Sequence, residues 1–100
     1  MKIKTTEIDK KDFTLDRTRF KTLVECTSKG MCVIVSSIQF DKTFFDTASF
    51  NATKNSPHDI YLGEQLDNLP DRDSNSLKEL EKNHKKMVKD VQKLLEGFKG

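Results

Sequence analysis

One hundred residues, 34% of them apolar and none of them tryptophan, make a single domain with one modest core. Eighteen basic against sixteen acidic side chains leave a net charge of +2, too little to single out nucleic acid or a membrane as partner. A core of this size does not favour a deep catalytic pocket, no apolar run approaches the ~20 residues of a membrane span, and two cysteines are no disulfide framework.

The charge is unevenly spread. Asp59 to Asp73 holds five acids against Arg72, whereas Ser74 to Gly100 holds seven lysines against Glu79, Glu81, Asp90 and Glu96. The N-terminus Met-Lys-Ile-Lys-Thr-Thr-Glu has no apolar signal core, so the chain is expected to be soluble and cytoplasmic.

Two short strands are predicted first, Lys2 to Ile8 and Asp12 to Asp16, anchored by Ile3, Ile8, Phe13 and Leu15. Phe20 to Phe40 then holds two β-rich runs around a glycine. A three-residue loop of Ser28, Lys29 and Gly30, with Gly30 left-handed, sets Cys26 against Cys32, Val24 against Ile34, Thr22 against Ser36 and Phe20 against Ile38. In that register Cys26 and Cys32 are either a cross-strand bridge or two small buried hydrophobes, and a reducing compartment favours the second. A two-residue turn at Asp41-Lys42 leads into a third run, Thr43 to Phe50, pairing Ile38 with Phe45, Val35 with Ala48 and Val33 with Phe50.

Asn51 to His58 is polar, contains Pro57 and is expected to be an exposed loop. Ile60 to Leu62 makes a short fourth strand that Gly63 ends, and Asp71 to Asn75 is a linker. Ser76 and Glu79 have capping-box spacing, and the apolar residues Leu77, Leu80, Met87, Val91, Leu94 and Phe98, with His84 in the gap, predict a helix ending near Gly97. Val88 and Leu95 widen its stripe, which suits packing on a sheet better than a coiled coil.

These elements predict an α+β fold: an antiparallel β-meander of three to five strands with one long C-terminal amphipathic helix packed on the sheet. One domain covers 1–100, with 1–62 mainly β, 63–75 an acidic connector and 76–97 the helix. Both faces of the predicted meander are apolar, and one helix covers one face. The other face, bearing Leu23, Val33, Val35, Phe44 and Phe50, is therefore expected to be a protein interface.

The expected function is a non-catalytic protein-binding module, homodimeric, that binds or blocks a macromolecular partner. Short, lysine-rich products of this kind are used by viruses and mobile elements to engage host machinery, an expectation that no residue carries. The alternative is binding of single-stranded nucleic acid or a phosphate backbone through the sheet and a lysine stripe, Lys82, Lys86, Lys89 and Lys93. The element order is similar to that of sheet-type single-strand binders, although the stripe has no arginine or aromatic residue to stack a base. No catalytic residue, cofactor or metal site is predicted. His58 and His84 lack metal-ligand spacing, His58-Asp59 beside Tyr61 has no nucleophile motif, and His84 on the apolar stripe is expected to be a packed seam histidine.

Overall fold

Alternating β-branched and apolar residues over the first two thirds of the chain, followed by a 3.6-period stripe, give a sheet and then a helix. The computed structural model describes residues 3–7, 18–26, 30–56, 59–66 and 69–97. Its strands are β1 (Ile3–Glu7), β2 (Thr18–Cys26), β3 (Met31–Gln39), β4 (Phe45–Ser56), β5 (Asp59–Gln65) and β6 (Arg72–Ser74), and its helix is α1 (Leu77–Glu96). The fold is α+β, an antiparallel meander in the order β1-β2-β3-β4-β5, with β6 also paired to β4. The predicted strand Asp12 to Asp16 lies outside the described residues.

The registers differ from those expected by one residue each. Val24 stands opposite Val33, Leu23 opposite Ile34 and Cys26 opposite Met31, so four residues separate β2 from β3. Gly30 is left-handed as expected, at φ 65°. Cys32 pairs with Glu25, and because side chains alternate, Cys26 and Cys32 point to opposite faces and cannot bridge. Between β3 and β4 the turn is Phe40 to Phe44, which sets Gln39 opposite Phe45 and Val35 opposite Ser49. The Asp41 side chain stabilises this wider turn, as described below.

Three segments expected to be irregular are strands. Asn51 to Ser56 extends β4, because β5 pairs along it. Gly63 lies inside β5, at a bulge, and a Cβ there would stand 3.3 Å from the Asn51 carbonyl oxygen; the close approach, not strand termination, explains this glycine. Arg72 to Ser74 leaves the expected linker to pair with Thr47 to Phe45.

Helix α1 starts where the capping spacing places it, with the Ser76 hydroxyl accepting from the Glu79 amide at 3.2 Å. Its buried stripe is Leu80, His84, Met87, Val91 and Leu95, while Leu77 is half exposed. Met87, Val91 and Leu95 pack on Val24, Cys26, Val33 and Val35, with Ile3, Met31, Leu66, Leu69 and Val88 around them. Burial of each large aliphatic side chain contributes about 1.5–3 kcal/mol.

The helix therefore covers the face that holds Val33 and Val35, which corrects the expectation that these residues lie on an open surface. The opposite face, where Leu23 and Ile34 are neighbours, is also shielded within the single chain, at 2% and 0% exposure.

Toward the N-terminal half of α1 the seam becomes polar. His84 Nε2 lies 2.8 Å from Thr22 Oγ1 and its Nδ1 lies 2.7 Å from Ser37 Oγ, which is 2.8 Å from Thr47 Oγ1. A neutral ring has one donor and one acceptor, and the rotatable hydroxyls satisfy either tautomer. Burial pushes the His84 pKa from 6.5 down to about 4. Phe20 closes the site, its ring 5.6 Å from the imidazole.

Replacing His84 with alanine leaves Thr22 and Ser37 facing a cavity, and His84→Ala is expected to lower unfolding free energy by about 2–4 kcal/mol in urea titration. Because the folded pKa is depressed, the stabilisation from the neutral ring is complete above pH 6.5 and declines as pH falls toward about 4. A wild-type protein whose stability does not fall faster than that of His84→Ala over this window contradicts the assignment.

Candidate functional site

The largest exposed aromatic feature among the described residues is the end of the β3–β4 hairpin. Phe40 and Phe44 are 47% and 43% exposed, and their rings contact one another at 5.5 Å between centroids. Two side chains that a soluble domain would ordinarily bury are held in water, and the turn that holds them is tightly bonded. The Phe40 amide donates to the Phe44 carbonyl at 2.9 Å. Asp41 Oδ1 accepts from the amides of Thr43 and Phe44 at 2.8 and 2.7 Å, and from the Thr43 hydroxyl at 3.4 Å. The Thr43 amide is the main reason that the Asp41 pKa lies below its ordinary value.

Charge flanks this end. Arg19 Nε donates to Gln39 Oε1 at 2.7 Å, Gln39 Nε2 donates to the Asp41 carbonyl at 3.0 Å, and Lys42 is exposed in the turn itself. Leu77, half exposed, begins α1 at the same end of the molecule, since Ser74 of β6 stands opposite Phe45.

A second cluster lies on the sheet face opposite the helix. Pairing of β6 with β4 brings the carboxylates of Asp46, Asp71 and Asp73 within 4.8 Å of one another, close enough to share a proton or a hard cation. Among the described residues Asp46 Oδ1 is buried without a hydrogen-bond partner. Burial, reinforced by the charges of Asp71 and Asp73, raises the Asp46 pKa from 3.8 to about 6. Nearby, Arg72 points to the helix side and pairs with Asp90 at 3.7 Å, while Asn83 donates to Ser74 Oγ at 2.7 Å.

The residues expected to form an interface do not share one surface. Val33 and Val35 are sealed under α1, Leu23 is buried on the other face, Phe50 is partly buried beside Ile34, and Phe44 stands at the hairpin end. Lys82, Lys86, Lys89 and Lys93 are all exposed, on the helix side away from the sheet. The Glu81–Lys85 pair beside them closes at 3.1 Å. His84 is a seam residue, and His58 lies outside the described residues. Lys21, two residues before Leu23 and on the same face, is 6% exposed and burial lowers its pKa to about 8.

The aromatic end was hidden by the shorter turn expected at Asp41-Lys42, which placed Phe40 and Phe44 on opposite strand faces. An aspartate two and three residues before free amides was the available signal. The acidic cluster has no local signal, since Asp46 joins Asp71 and Asp73 only through strand pairing. Among the described residues no helix is long and apolar enough to cross a membrane. Comparison with protein-family models, curated proteins and solved structures finds no match.

Because the folded pKa of Asp46 is raised, the stability linked to its protonation is fully present below about pH 4 and is lost as pH rises through about 6. Asp46→Asn is therefore expected to melt above wild type at pH 7.5, with the gap closing toward pH 5. Equal melting temperatures at pH 7.5 would show that the three carboxylates carry no repulsion.

Proposed function

We propose that the chain is a non-catalytic binding protein that engages another protein through the aromatic end of its β3–β4 hairpin. The observation that carries this is the exposure of Phe40 and Phe44 on a turn already fixed by Asp41. A preformed aromatic pair loses little conformational entropy on docking, and buried aromatic anchors dominate interface energetics. Lys42 and Arg19 give the partner its chemistry: an apolar pocket with carboxylates on its rim. The non-catalytic part is supported by the burial of His84 and Ser37, a His–Ser contact that no substrate reaches.

Affinity capture from source cells with wild type and with Phe40→Ser/Phe44→Ser tests this. The substitutions are expected to leave the circular dichroism spectrum unchanged and to weaken binding of the captured protein at least about tenfold. Equal affinity of both forms removes the aromatic end as the site.

A second reading, binding of a single-stranded nucleic acid, is favoured by one observation, the unobstructed stripe of Lys82, Lys86, Lys89 and Lys93. Its signature is a steep fall of affinity with salt, reduced when the four lysines become glutamine. Absence of any shift of a labelled single strand at low salt eliminates it.

A further inference from the structure

Among the described residues the meander is open, so β1 and β5 each have a strand on one side only. The two edges are treated differently. On β1, Ile-Lys-Thr-Thr-Glu presents four exposed residues, all polar, with Lys4 and Glu7 among them, the usual defence against edge pairing. On β5 (Asp59–Gln65) the two charges, Asp59 and Glu64, flank an uncharged middle, Ile60-Tyr-Leu-Gly63, and there is no proline.

The same strand exposes large apolar side chains on both of its faces. Tyr61 is 57% exposed and Leu62 46% exposed, and as consecutive strand residues they point to opposite sides. Apolar surface thus wraps the rim of the sheet at the place where its hydrogen-bonding groups face outward. A docked helix would cover one of these side chains, whereas a further strand places neighbours beside both.

The sequence of β5 fits itself. Antiparallel pairing about Tyr61 sets Tyr61 against Tyr61 of the second copy, Ile60 against Leu62 twice, and Asp59 against Gly63 twice, with no like charges opposed. A shift by one residue toward the C-terminus sets Asp59 against Glu64, and a further one sets Ile60 against Glu64. A shift the other way sets Asp59 against Leu62. Charge and apolarity therefore select the same centre.

We propose that β5 is a self-pairing edge: two copies of this chain join antiparallel about Tyr61, extending both meanders into one continuous sheet. The contact is isologous, so it closes as a dimer and leaves the β1 edges outermost. A ribbon from Asp59 to Gly63 of each copy, with the flanking Tyr61 and Leu62 side chains, falls below the ~1,200 Å² typical of tight complexes, and the dimer is expected to dissociate in the micromolar range. This surface is separate from the aromatic hairpin end and does not rest on the function proposed for it.

Sedimentation velocity of the full chain, from low to several hundred micromolar at neutral pH, tests the proposal. Wild type is expected to pass from monomer to dimer. Tyr61→Lys alone and Tyr61→Glu alone, each placing like charges at the two-fold, are expected to weaken self-association at least about tenfold with unchanged circular dichroism. An equimolar mixture of the two is expected to recover the dimer, which general loss of hydrophobicity cannot do. A wild type that stays monomeric throughout, including one whose edge instead takes an extended peptide, overturns the proposal. So does a dimer indifferent to both single variants but lost in Phe40→Ser/Phe44→Ser, or a mixture that does not recover association.

Discussion

The imidazole of His84, held between Thr22 and Ser37, is the contact on which the placement of the helix depends. Aliphatic packing of Met87, Val91 and Leu95 on Val24, Val33 and Val35 is strong but tolerant, because apolar contacts carry no direction. A helix held by them alone could turn or slide by a fraction of a residue at little cost. The imidazole tolerates neither: both nitrogens are buried, both need a partner, and the partners are fixed on two different strands. Rotation of the helix by one residue would strand two hydroxyls and a ring in the core. The aliphatic half of the seam supplies most of the stabilisation and the polar half supplies the alignment.

That division extends to the sheet. The helix-facing side of β3 and β4 runs from Val33 and Val35 into Ser37, Thr47 and Ser49, all buried. Buried serine and threonine need partners, and Ser37 finds them both in Thr47 of the sheet and in His84 of the helix. His84, Asn83 and the cap at Ser76 are polar groups of the same half of α1. Ser49 is the exception, since its hydroxyl has no hydrogen-bond partner among the described residues.

The sequence disclosed the α+β class, the helix and its serine cap, the left-handed glycine of the first hairpin and the seam position of His84, because each rests on local chemistry or a short period. Registers were not legible. The one-residue difference at each hairpin comes from turns whose length depends on a few hydrogen bonds, such as those of Asp41, and apolarity on both strand faces meant that no register looked wrong. Val33 and Val35 went to the wrong surface for this reason: a slip of one position exchanges the faces of an entire strand. Strand β6 and the long second half of β4 were missed because their residues are polar and stabilised by pairing. The aromatic end of the second hairpin followed from its turn, and the grouping of three aspartates from β6, so neither was visible before the topology.

Strand β4 has an unusual position, for its outer edge is shared. Phe50 to Ser56 belongs to β5, while Phe45 to Thr47 belongs to β6, and the chain travels between these two clamps before entering the helix. The clamp next to the helix is tied to it by Arg72–Asp90 and by Asn83, whereas the other is interrupted by bulges on both sides of its middle. Opening of β5 therefore need not undock the helix, and the domain divides into a cooperative unit around the seam and a peripheral ribbon of lower local stability. Amide exchange is then graded along a single strand, slow where β4 meets β6 and faster where it meets β5.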